Sequence, residues 1–171
     1  KAGTDEEFRL KFINTGMLST SELSIIQAKK EISVYGKRSY RMFGLVKELF
    51  SETNNDKFEE IFERIRKYED ISDRIEVEIA NYLMKISEGD LSIEASRRVR
   101  AMLKIIDDME SVGDSCFTLA RTINRKRVEK AWFTQELRDN INYMFELLDE
   151  SFNVTMQNLA VDFENVNYEK A

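Results

Sequence analysis

Apolar residues recur at steps of three and four along most of this 171-residue chain, and they fall into four blocks. That spacing is the signature of helices with one buried seam. The first seam runs Ile25, Ala28, Ile32, Tyr35, Ser39, Met42, Val46, Leu49. The second runs Phe58, Ile61, Ile65, Tyr68, Ser72, Ile75, Ile79, Tyr82, Ile86. The third is Val99, Met102, Ile106, Met109, Gly113, Cys116, Ala120, Ile123, and the fourth Leu137, Ile141, Met144, Leu148, Phe152, Thr155, Leu159. Each block predicts a helix on the order of 30 residues and about 45 Å long. Ser39, Ser72 and Gly113 interrupt otherwise apolar seams. A glycine inside a helix costs about 1 kcal/mol against alanine, and a close approach of two helices near Asp114 is the expected return.

Polar residues punctuate the blocks. Ser19-Thr20-Ser21-Glu22 and Asp56-Lys57-Phe58-Glu59 have the capping-box spacing and predict helix starts. Gly89 is expected to end the second helix in the left-handed conformation, and Ser92 to cap the third. Arg125-Lys126-Arg127 place positive charge where a helix C-terminus favours it. Trp132 and Phe133 are expected to pack at the junction before a helix starting at Thr134. The pattern loosens after Asp162, and residues 1–18 show no sustained period, which predicts a lead-in. The short connections make neighbouring helices antiparallel, and near-heptad seams predict left-handed, coiled-coil-like packing. The fold class is therefore all-α, an antiparallel bundle of long helices.

Composition agrees with this and excludes much chemistry. There is no proline, only 6 glycines, and 34% of residues are charged. The net charge of −6 argues against a nucleic-acid partner. The absence of histidine removes Ser-His-Asp triads and the common histidine-bearing metal sites. No phosphate-binding glycine loop is present, so the chain is not expected to be an enzyme. Cys116, the single cysteine, lies on a seam and is expected to be a buried, inert thiol. No apolar run has the length of a membrane span. The chain begins with Lys1, as a fragment of a longer protein would. The first helix is basic through Lys29, Lys30, Lys37, Arg38, Arg41 and Lys47, a pattern that reads first as a solvated face.

The candidate chemistry is acidic. Asp107, Glu110 and Asp114 each follow a seam residue of the third helix by one position, and Glu69, Asp73 and Glu76 do the same on the second. Like charges four apart stack on one helix face and repel, so a cation, an arginine or water must make them tolerable. If the two helices turn back around residue 90, Glu69 lies level with Glu110, Asp73 with Asp107, and Arg66 with Asp114. The five candidates, Glu69, Asp73, Asp107, Glu110 and Asp114, then face one another. Such a cluster suits hard cations or iron and manganese. Neutralisation by Arg66, Arg74 or Lys67 is the competing arrangement.

These motifs resemble those of the PhoU family, whose three-helix repeats carry a Glu/Asp-x-x-x-Asp pair on the second and third helices. The family's third-helix pattern, Glu-Arg-Ile-Gly-Asp, is met by Glu110-Ser111-Val112-Gly113-Asp114. Ser111 replaces the arginine. Glu69 to Asp73, followed by Arg74-Ile75 and Ile79, meets the second-helix pattern. A further resemblance, to the C-terminal cytosolic region of bacterial sodium/phosphate cotransporters, rests on Phe8-Arg9-Leu10-Lys11-Phe12, Leu18 to Leu23, and Gln27-Ala28-Lys29-Lys30-Glu31-Ile32.

The resemblance implies a lead-in over 1–18, a PhoU-like three-helix repeat over 19–127, and a fourth helix over 128–171 that begins an incomplete second repeat. It implies a regulatory domain at the cytoplasmic face of the bacterial inner membrane, modulating phosphate transport or reporting phosphate status. The transmembrane part of the parent cotransporter would be its partner, with a homo-oligomer left open. A divalent metal among Mg, Ca, Fe, Mn and Zn would be held by the acidic residues. Two other readings stay open: a free-standing PhoU-type regulator, and a metal-free helical scaffold.

Overall fold

A computed structural model describes residues 8–13, 20–161, 165–166 and 169. Among them there is no strand, and the chain folds as four helices: α1 (Ser21–Ser51), α2 (Asn55–Ser87), α3 (Ile93–Val128) and α4 (Gln135–Ala160). Ser19, the rest of the segment 14–19, and residues 162–164 lie outside the described residues.

The helix ends refine the sequence reading. Thr20 is the N-cap of α1 and makes no side-chain capping bond. α2 is capped by Asn54, which accepts from the Lys57 N–H at 3.0 Å, so Asp56 sits inside the first turn rather than at the cap. Asn54 has Lys57 three residues on and so lacks the capping-box signature that Asp56 and Glu59 carry. Ser92 and Thr134 cap α3 and α4 as expected, accepting from Ala95 N–H and Leu137 N–H. Gly89 does not take the left-handed conformation. The C-cap Glu88 stays right-handed, and the Gly89 N–H donates to the Ile86 carbonyl at 3.2 Å.

The first three seams are buried in full, from Ile25 to Leu49, Phe58 to Ile86 and Val99 to Ile123. α1, α2 and α3 pack against each other in all three pairings. Directions follow from the partners: Tyr82 near the end of α2 donates to Gln27 near the start of α1, and Ser72 meets Tyr35 midway. α1 and α2 are therefore antiparallel. Arg127 at the end of α3 donates to the Glu52 and Thr53 carbonyls and lies 4.2 Å over the Phe58 ring. That closes the α1–α2 turn and sets α3 antiparallel to α2. The core divides into two apolar clusters, one around Ile32, Ile79 and Ile106, the other around Val46, Ile65 and Ala120. Tyr35, Ser39, Ser72 and Gly113 form the small and polar layer between their centres. Cys116 is buried as expected, and burial pushes its thiol up to about 11.

α4 packs on α1, and only part of the predicted seam faces the core: Ile141, Phe152 and Leu159 pack against it. Leu137, Met144 and Leu148 are exposed, while Phe145 is the buried residue. Phe145 and Phe152 meet Phe43 with ring centroids 5.7 and 5.2 Å away, and Lys47 pairs with Asp149. A helix resting on one neighbour buries only a narrow stripe. Phe133 packs against Phe50, whereas Trp132 points outward.

The lead-in is pinned. Glu31, 2% exposed, accepts the backbone N–H groups of Lys11 at 2.8 Å and Phe12 at 2.6 Å. Arg38 donates to the Arg9 carbonyl at 3.3 Å, and Arg74 of α2 stacks 4.5 Å over the Phe8 ring. Hydrogen bonds to a charged group contribute about 1.5–3 kcal/mol each. Glu31→Ala should therefore destabilise the fold by about 2 kcal/mol or more in urea unfolding and expose residues 8–13 to protease. Glu31→Gln, which keeps an acceptor, should lose less.

Candidate functional site

The site is set by how closely α2 and α3 approach. A Cβ built on Gly113 would sit 3.4 Å from Ser72 Oγ, so the two backbones meet here with room for little more than a methyl group. Beneath them Ser72 Oγ donates to the Tyr35 hydroxyl at 3.3 Å, and Tyr35 is fully buried. Asp73 follows Ser72 and Asp114 follows Gly113, so the contact draws the two carboxylates to the same edge.

The result is a cluster of Glu69, Asp73 and Asp114, with one oxygen from each within 4.8 Å of the others. Glu69 is half-buried, and Asp73 and Asp114 are exposed. Asp114 stands where Glu110 was expected, a displacement of about one helical turn. The symmetric turn about residue 90 is overridden by the fit of Gly113 against Ser72. Glu110 borders the cluster and interacts electrostatically with Asp114, Asp73, Glu76 and Asp107. Asp107 is drawn away: Lys104 binds it at 2.8 Å and Asp108 at 2.7 Å.

Two of the three competing cations are engaged elsewhere. Arg66 pairs with Glu63 at 2.5 Å instead of lying opposite Asp114, and Arg74 covers Phe8. Among the described residues, Glu69, Asp73 and Asp114 enter no ion pair.

Electrostatics follow from this crowding. Burial raises the Glu69 carboxyl above its usual range, with Asp73, Asp70 and Asp114 adding to the effect. Burial likewise raises Asp73, and Asp114 and Asp70 reinforce it. Glu110 is raised by burial, then by Asp114, Asp73, Glu76 and Asp107. The Tyr35 phenol below is held well above its ordinary value, chiefly by burial, with Glu110, Glu76 and Asp73 contributing. Sequence reasoning left Tyr35 out of the site. Its signal was faint: a phenol on the α1 seam one turn before Ser39. Glu76, which continues the α2 row, belongs to the same field.

The donor set fits a hard cation. It offers carboxylate oxygens alone, on two helices. Oxygens facing each other across Ca²⁺ stand roughly 4.6–5.2 Å apart, and about 4 Å across Mg²⁺. A span within 4.8 Å is of that size.

The architecture and its acidic edge define a class: an all-helical bundle with paired carboxylates on adjacent helices. The PhoU domain matches residues 32–123, more than half of the chain, and the chain belongs to that family of phosphate-linked, non-enzymatic regulatory domains. No curated protein and no solved structure matches it. The matched span takes in the three mutually packed helices, from Ile32 on the α1 seam to Ile123 on the α3 seam. Among the described residues, no helix is long and apolar enough to cross a membrane.

Two outcomes follow. The raised carboxyls bind more protons in the folded than in the unfolded chain between the ordinary carboxylate range, near 4, and their folded values. Their contribution to stability therefore falls as pH rises through that window. In the presence of chelator, the triple variant Glu69→Gln/Asp73→Asn/Asp114→Asn should be at least as stable as the parent at pH 7. The advantage should shrink toward pH 4, as followed by urea unfolding. At Gly113, alanine should be neutral or stabilising by up to about 1 kcal/mol. Leucine should force α2 and α3 apart, seen as a lower Tm.

Proposed function

We propose that this domain senses a divalent cation at Glu69, Asp73 and Asp114 and uses it to regulate phosphate transport. The observation that carries the reading is the meeting of carboxylates from α2 and α3, the helices whose acidic pairs resemble those of the PhoU family. These three residues would hold the ion, with Glu110 and Glu76 adding negative potential at its edge. A bound cation supplies positive charge that turns like-charge repulsion into attraction and clamps α2 to α3. Ser72 and Tyr35 position the clamp from below, because their contact fixes how near α3 comes.

In the fuller reading, the domain is the cytosolic regulatory part of a sodium-dependent phosphate cotransporter. Support comes from the lead-in and the Gln27-Ala28-Lys29-Lys30-Glu31-Ile32 stretch, which resemble that group. Its partner would then be the transmembrane part of the same protein, at the cytoplasmic face of the inner membrane, with transport chemistry done by the spans. Membrane-spanning segments encoded ahead of Lys1 would support this. A parent gene without them would favour a free-standing PhoU-type regulator.

The cation reading is tested by thermal melts of the full chain with Mg²⁺, Ca²⁺ or Mn²⁺, beside elemental analysis of the purified protein. An ion at about 100 times its Kd adds roughly 2.7 kcal/mol, which should appear as a clear rise in Tm. The rise should vanish in Asp114→Asn and shrink in Glu110→Gln. A Tm indifferent to all three ions and to chelator would leave the acidic edge as a solvated surface and favour a metal-free scaffold.

A further inference from the structure

The outer face of α1 has a charge balance opposite to that of the whole chain. Between Leu23 and Lys47 there are six lysines and arginines and one carboxylate, Glu31, in a protein of net charge −6. That carboxylate is 2% exposed and spent on the Lys11 and Phe12 N–H groups. Arg38 is turned inward, Lys29 donates to the Val161 carbonyl, and Lys47 pairs with Asp149. Lys30 and Lys37 stand exposed along one stripe of the helix, and Arg41, also exposed but engaged with another group, continues it. Leu23, Lys30 and Lys37 are seven apart, and Ile26 and Arg41 flank the same line, about 27 Å from end to end.

The stripe is also apolar at one end. Phe12, Leu23 and Ile26 are 43%, 47% and 48% exposed, and Lys30 reaches over the Phe12 ring at 6.0 Å. Phe12, Ile26, Lys30, Ser33 and Lys37 line an open groove of about 630 Å³, with Glu22 the acidic residue on its rim. Cations this exposed hold a small free anion weakly, because water screens them. A broad negative plane engages them together and also accepts exposed apolar side chains, which is how interfacial helices bind lipid.

We infer that the Leu23–Arg41 face of α1, with Phe12, is a docking surface for an anionic lipid bilayer. Acidic headgroups meet Lys30 and Lys37, and Phe12, Leu23 and Ile26 enter the headgroup boundary. The acidic edge at Glu69, Asp73 and Asp114 belongs to α2 and α3 and takes no part. This inference rests on the surface of this chain alone and holds whether or not the parent is a cotransporter.

The test is flotation of the full chain with vesicles of phosphatidylcholine alone, or with about one third phosphatidylglycerol. Binding is expected to the anionic vesicles at low salt, weakening as salt rises. Each basic residue near an anionic leaflet contributes about fivefold. Lys30→Glu/Lys37→Glu should therefore lower partitioning at least tenfold, with an unchanged circular dichroism spectrum. Phe12→Ser should weaken it further, and Arg121→Glu, on α3, should not. Equal binding to neutral vesicles, no binding to either, or indifference to the double reversal would overturn the inference. So would capture by soluble polyglutamate as strong as capture by vesicles, which would assign the face to an acidic polypeptide. None of these results would touch the cation melts.

Discussion

The fit of Gly113 against Ser72 sets the distance between α2 and α3, and most of what the domain can do follows from that distance. Three seams of apolar side chains hold the helices together, but they would tolerate several registers. The small layer does not: Ser72 must reach the Tyr35 hydroxyl, and α3 must come close enough for Gly113 to cover them. Once that contact is made, Asp73 and Asp114 have no choice but to share an edge with Glu69. Removing polar atoms from water without a partner costs about 1–3 kcal/mol each, so the Ser72–Tyr35 bond both satisfies the layer and fixes the level of the acidic cluster.

The same logic separates what was legible in the sequence from what was not. The seams of α1, α2 and α3 were readable residue by residue, because each helix packs on two neighbours and buries a broad face. α4 was readable as a helix but not as a surface. It packs on α1 and buries Phe145 alone in full, so spacing does not mark which of its apolar positions stay exposed. The acidic cluster was legible as a set of residues and not as a register. Equal counting from residue 90 set Asp114 opposite Arg66, whereas packing set it against Glu69 and Asp73. Glu110 and Asp107 were thereby moved to the border and away. Long-range partners of single side chains, such as Glu31 with the Lys11 and Phe12 N–H groups, left no periodic trace at all.

Charge is distributed with the same separation of tasks. Carboxylates gather on the α2–α3 edge, where crowding raises their proton affinity, and cations gather on α1. Arg66 and Arg74, two of the candidates to neutralise the acidic edge, are held by Glu63 and by the Phe8 ring. The like-charge repulsion along that edge is therefore relieved by water and by the raised proton affinity of its carboxyls rather than by a neighbouring side chain.

The anchoring of the lead-in has a mechanical consequence. Glu31 and Arg38 grip the backbone at Lys11, Phe12 and Arg9, ahead of the first helical turn. A load arriving along the polypeptide from its amino-terminal side is thus delivered to the middle of α1 rather than to its frayable end. It enters the bundle within two turns of Tyr35, the hydroxyl on which the spacing of α2 and α3 rests.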